Sequence, residues 1–138
     1  FYLFSGAALS LNAMGKVDRS YLSDAFVFNP KDGWKKLPAM PRPCVAAPSP
    51  AIFNKGIIQL LSGDDGKLVN FEPKQSHPGF PKSVMVFDPK SNSWAKELPF
   101  HLSRATAPLT SWQGLNVLAS GEVRPGIRTP EIWSMRQR

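Results

Sequence analysis

FYLFSG at residues 1–6, IIQLLSG at 57–63 and LNVLASG at 115–121 are three copies of one pattern, an apolar strand running into a Ser-Gly pair. The serines stand at positions 5, 62 and 120, so the copies recur at intervals of 57 and 58 residues. A fixed recurrence on that scale is the mark of repeated supersecondary units, here four-stranded units lengthened by a loop insertion.

Other anchors recur in step with the pairs. Each of the first two pairs is followed by an aromatic strand ending in a turn, AFVFNPKDGW at 25–34 and VMVFDPKSNSW at 84–94. Pro30 and Pro89 cannot donate to a strand ladder, and the Asn, Asp, Ser and Gly beside them accept tight turns, so both segments read as hairpins. The aromatic before each turn and the Trp after it are then expected to meet across the hairpin. Both segments continue through Leu-Pro (Leu37-Pro38, Leu98-Pro99) to an arginine, Arg42 or Arg104, and then to a small-residue strand leading to the next Ser-Gly. Strands are expected near 1–5, 24–28, 57–62, 83–87, 115–120 and 131–135, and no segment sustains a helical period.

These residues resemble the kelch repeat, with Ser-Gly in place of Gly-Gly and Phe28 and Phe87 where that repeat carries a Tyr. The resemblance implies an all-β, kelch-type β-propeller fragment: about two and a half four-stranded blades of a six-bladed propeller. With strands lettered a to d from the axis outward, residues 1–44 form a partial blade b-c-d. Residues 45–103 form a full blade with a long b-c insertion at 64–82, and residues 104–138 form a partial blade a-b-c. Closed propellers need at least about four blades. The remaining blades are therefore expected from the same longer protein or from another chain.

Composition narrows the function classes. The formal net charge is +7, but Lys31, Lys35, Lys36, Lys74, Lys82, Lys90 and Lys96 are scattered over turns rather than gathered with aromatics on one strand face, so no nucleic-acid partner is expected. Apolar runs are only strand-sized, and neither a membrane span nor a signal segment is visible. Cys44 is the sole cysteine and reads as a buried core thiol. His77 and His101 lack nearby ligands at metal spacing, so no metal is expected.

The most specific chemistry is SGEVRPGIRTPEIW at 120–133. Its Gly121-Glu122, Pro125-Gly126 and Arg128 resemble the signature of the N-acetylneuraminate epimerases, sialic acid mutarotases built on a kelch propeller. The resemblance implies Glu122 as the proton acceptor and Arg128 as its cationic partner, an acidic monosaccharide (sialic acid) as substrate, no cofactor, and a periplasmic or secreted setting. Residues 64–82, which contain LVNFEPKQSHPGFPK, match a long insertion of that family and read either as a wall of the site or as a surface loop. Within a propeller, b-to-c loops and d-to-a connections emerge at one face. Arg42 and Arg104 are thus expected beside Glu122 and Arg128, to bind a substrate carboxylate through paired hydrogen bonds. Asp64 and Asp65 would face the same way, although as turn formers they need no function. The competing readings are a non-catalytic kelch module binding a protein or glycan through this face, and a sugar-binding homologue without turnover.

Overall fold

The computed structural model describes residues 1–136; the last two residues of the expected third unit lie outside it. Strands β1 (Tyr2–Leu11), β2 (Val17–Asn29) and β3 (Gly33–Lys36) form a first antiparallel sheet. Strands β4 (Ile52–Asn54), β5 (Ile57–Leu61), β6 (Ser83–Asp88) and β7 (Ser93–Trp94) form a second, with β8 (Leu98–Pro99) also pairing β6. In the third, β10 (Leu115–Ala119) lies between β9 (Leu109–Trp112) and β13 (Ile132–Arg136), while β11 (Glu122–Arg124) and β12 (Ile127–Arg128) form a separate hairpin. Among the described residues the single helical turn is a 3-10 segment, Lys74–Ser76.

The aromatic anchors meet as their spacing predicts. Phe28 is the register partner of Trp34 and Phe87 of Trp94, with ring centroids 5.2 and 4.9 Å apart. Such pairs add about 0.5–1.5 kcal/mol beyond simple burial. Phe4 of the first sheet packs edge-on against both Phe87 and Trp94, which joins the two sheets.

The core lies between consecutive sheets. Ala25, Met40, Cys44, Leu60 and Met85 fill the first interval, and Ile52, Leu61, Val84, Leu102, Ala107, Leu109 and Leu118 fill the second. Burial pushes the Cys44 thiol up to about 11, the environment of a packing residue rather than a reactive one.

The Ser-Gly pairs explain how the sheets are joined. Ser5, Ser62 and Ser120 all have positive φ, at 59°, 52° and 55°, which ends the strand at Ser62 and Ser120 and interrupts the pairing register at Ser5. The Ser5 hydroxyl accepts the Cys44 N–H at 2.9 Å, and the Ser62 hydroxyl accepts the Arg104 N–H at the same distance. Gly63 N–H then donates to the Arg104 carbonyl at 3.0 Å, so the second pair clasps both backbone groups of one residue in the following connection. On its other side the pair touches the preceding connection. A Cβ at Gly121, where φ is +95°, would stand 2.6 Å from Ala107 Cβ and 2.8 Å from the Ala105 carbonyl.

This clasp corrects one alignment expected from sequence. The position equivalent to Arg104 is Cys44, not Arg42, because the N–H that reaches the serine hydroxyl sets the register of each connection. Ala46 and Thr106, two residues further on, share φ values of 52°.

The first sheet also departs from expectation. Its strands continue beyond Ser5-Gly6, with a register shift there, into a long hairpin that turns at residues 12–16. Asn12 closes the turn by accepting the backbone N–H groups of Met14 and Lys16. Leu9, Leu11, Met14 and Val17 are exposed on it.

Ser62→Ala leaves the buried Arg104 N–H without its acceptor, and urea denaturation is expected to show a loss of about 1–3 kcal/mol. Gly121→Ala, which forces a Cβ against backbone, should cost more than Gly114→Ala, whose turn also has a positive φ but open space.

Candidate functional site

Glu122 opens β11 and Arg128 closes β12, and the two are register partners across the hairpin. Pro125 and Gly126 make the turn between them, Gly126 taking the left-handed φ of 74° that its position requires. Folding back at that point converts a six-residue separation into contact: Arg128 Nη2 stands 3.5 Å from Glu122 Oε1. The carboxylate is mostly shielded while the guanidinium is largely exposed, with side-chain accessibilities of 23% and 63%. The Glu122 main chain is fixed from behind, its N–H donating to the Ala105 carbonyl at 2.7 Å and its carbonyl accepting from Ala105 N–H at 2.9 Å.

Glu122 lines a cavity of about 250 Å³ bounded by β2, the insertion and the β11–β12 hairpin. Arg19 and Tyr21 come from β2, Asp64 follows the second Ser-Gly pair, and Leu68 and His77 belong to the insertion. Tyr21 donates its hydroxyl to Asp64 Oδ2 at 3.2 Å. Burial, more than the neighbouring Asp64 charge, raises the Tyr21 hydroxyl above its ordinary value, with Arg19 opposing the shift. Asp64 follows the second Ser-Gly pair as Glu122 follows the third, each being paired with the preceding connection through a two-way backbone bridge.

The insertion lies against the hairpin rather than standing away from it. Ser103 Oγ donates to the Val123 carbonyl and accepts the Phe80 N–H, both at 2.6 Å. Gly79 makes the close approach possible: a Cβ there would sit 2.5 Å from Ser103 Oγ and 2.7 Å from the Val123 carbonyl. His77 is 8% exposed, with its ring edge-on to Phe71 and its Nδ1 accepting the Gly79 N–H at 3.0 Å.

Of the four residues expected to converge, Glu122 and Arg128 come together. Arg42 and Arg104 are held apart from them. Arg42 is buried and donates to the Ser62 carbonyl at 3.1 Å, the Pro43 carbonyl at 3.0 Å and Ser83 Oγ at 3.0 Å, while its Nε pairs with Glu97 at 3.2 Å. Ser83 also donates to the same carboxylate. Its guanidinium thus ties the exit of the first sheet to the clasp of the second. Arg104, 2% exposed, donates to Glu131 Oε2 at 2.7 Å and to the Ser103 carbonyl at 2.9 Å. It lines a neighbouring cavity rather than that of Glu122. Arg19, Tyr21 and His77 were not singled out from sequence as site residues. The turn-forming Asn12 and Gly15, flanked by strand-like residues, were the available sign that Arg19 and Tyr21 ride on a hairpin.

No protein-family model matches the chain. Among curated proteins, an N-acetylneuraminate epimerase of Haemophilus influenzae (strain 86-028NP) is 30% identical over 156 aligned residues, which take in 94% of this chain and 40% of that protein. One of Yersinia enterocolitica is 35% identical over 54 residues, 38% of this chain and 14% of the relative. The chain resembles the N-acetylneuraminate epimerases. It spans about 40% of the length of the Haemophilus relative. A solved structure titled "Structure of YjhT" superposes on 99% of the chain and 46% of its own with a TM-score of 0.67 at 21% identity, which establishes the fold. The chain is all-β, a portion of a β-propeller.

Glu131 lies below the ordinary carboxylate range because the Trp133 indole N–H and then Arg104 favour its ionised form. A lowered folded-state pKa gives stability that is present above the ordinary carboxylate range and lost as pH falls through the lowered value. The stability difference between wild type and Glu131→Gln, measured by urea denaturation at a series of pH values, should therefore shrink on acidification below about pH 4.

Proposed function

We propose that the chain is part of a mutarotase that interconverts the α and β anomers of N-acetylneuraminic acid, with Glu122 as the general base. The observation that carries this reading is the Glu122–Arg128 pair, formed across a tight hairpin, with Glu122 lining a cavity bounded by β2, the insertion and that hairpin. The likeness to named epimerases over 94% of the chain supports it.

In this reading the Glu122 carboxylate takes the proton of the anomeric hydroxyl. The bond from the anomeric carbon to the ring oxygen breaks, and the ring oxygen leaves as a hydroxyl by taking a proton from water in the open cavity. The product is an open-chain keto acid. Rotation beside the keto carbon presents its other face; the hydroxyl attacks, gives its proton to water, and Glu122 returns its proton to the keto oxygen. Arg128, exposed beside the base, pairs with the substrate carboxylate. Arg42 and Arg104 serve the substrate at one remove. Arg42 fixes the clasp at Ser62, and Arg104 carries the backbone that the clasp holds, one residue before the Ala105 bridge to Glu122.

Residues 1–44, 45–103 and 104–138 are, in the same proposal, successive blade units, and the blades that complete the ring come from the rest of a longer polypeptide or from another chain. The 40% span of the Haemophilus relative supports this. An isolated arc would leave sheet faces and edges uncovered.

In the complete propeller, Glu122→Gln should slow anomer exchange by on the order of a hundredfold, the scale of losing a general base. Arg128→Lys keeps the charge but loses the two-pronged donor, and should weaken sugar binding about tenfold with a smaller effect on turnover. Proton NMR of freshly released α-sialic acid, compared with buffer alone, follows both. Wild-type protein that binds a glycan yet leaves the buffer rate unchanged would replace the enzyme reading with that of a binding module.

A further inference from the structure

A second cavity, of about 460 Å³, lies behind the hairpin, between residues 77–82, 101–104 and 123–127. Its titratable and charged lining residues are His77, Lys82, His101, Arg104 and Arg124, with no carboxylate among them. Two of the arginines are incompletely satisfied. Arg104 Nε and Arg124 Nε are both buried without a hydrogen-bond partner among the described residues. Arg104 is 2% exposed overall, and Glu131 engages its Nη2, so that among the described residues Nε has no partner. A buried charged donor without an acceptor is destabilising, so a wall with two of them suits an acceptor-rich ligand.

The walls are fixed in place. Ser103 links the insertion at Phe80 to the hairpin at Val123 through two 2.6 Å hydrogen bonds, and Gly79 packs too closely there to admit a Cβ. The His101 ring is braced between Phe100 and Trp133, with centroids 5.3 Å away on each side. His77 lines both this cavity and that of Glu122, so the two share one wall.

We propose that this cavity is an oxyanion site, separate from the Glu122 cavity, that takes the carboxylate or phosphate group of a small acidic ligand. Arg104 and Arg124 supply the N–H donors, and Lys82 adds positive charge at the wall. The guanidinium groups present planar donors that match either head group. The inference does not depend on the sugar chemistry proposed for Glu122.

The test is an NMR titration of the full chain with acetate and, separately, with inorganic phosphate, at constant ionic strength set with chloride. The Nε–Hε signals of Arg104 and Arg124 are expected to shift saturably with at least one of the two oxyanions and not with chloride. The better probe assigns the ligand to carboxylic acids or to phosphate esters. Arg124→Gln, at a half-buried position, should weaken that binding about tenfold while the fold is retained; Lys82→Gln should weaken it less and guards against an Arg124 variant that misfolds. Glu122→Gln should leave the affinity unchanged. Shifts that do not saturate, or that survive both substitutions, would overturn the site. Loss of binding in Glu122→Gln would merge the two cavities and overturn their separation, whatever becomes of the mutarotase reading.

Discussion

The clasp between a Ser-Gly pair and the connection that follows it is the interaction on which the rest of the structure depends. At each pair two successive residues take positive φ, a conformation that at Ser5 and Ser62 offers the serine hydroxyl and, at the second pair, the glycine N–H to the backbone of the next connection. A serine can hold this strained conformation because its hydroxyl gains an otherwise unsatisfied backbone donor. At the second and third pairs the next residue has to be glycine because the preceding connection lies within about 3 Å of where a Cβ would stand. Apolar packing between sheets supplies most of the burial, but it is non-directional. The clasp sets the register in which the sheets meet.

That same register places the candidate chemistry. The residue after each clasp, Asp64 or Glu122, is bridged on both sides to the preceding connection, so its side chain leaves the sheet at a fixed point. After the second pair this residue opens a long insertion; after the third it opens a tight hairpin that folds Arg128 back onto it. The long β1–β2 hairpin brings Tyr21 and Arg19 to the same cavity from the first sheet. Site and scaffold are thus one set of backbone hydrogen bonds.

Much of this was legible in the sequence. Repetition fixed the strands and the aromatic pairs, since both depend on local spacing and on turn residues. The Glu122–Arg128 contact was legible for the same reason, being made within one hairpin. Arg42 and Arg104 were misplaced relative to the site because their partners, Ser62, Ser83, Glu97 and Glu131, are distant in sequence or lie on another strand. An arginine in a connection looks the same whether it faces solvent or is buried. The extension of the first hairpin was missed because Ser5-Gly6 was expected to end its strand, whereas there the pair forms an irregularity through which pairing continues.

The account stands or falls on whether a sialic acid enters the cavity that Glu122, Tyr21, Asp64 and His77 enclose. Titration of isotope-labelled protein with N-acetylneuraminate, followed residue by residue by NMR, asks this directly. The account predicts saturable shifts centred on residues 122–128, Arg19, Tyr21 and His77, and little change at the solvent-facing turns near residues 30 and 90. Saturable shifts confined to other surfaces, or no shift at sugar concentrations well into the millimolar range, would contradict it.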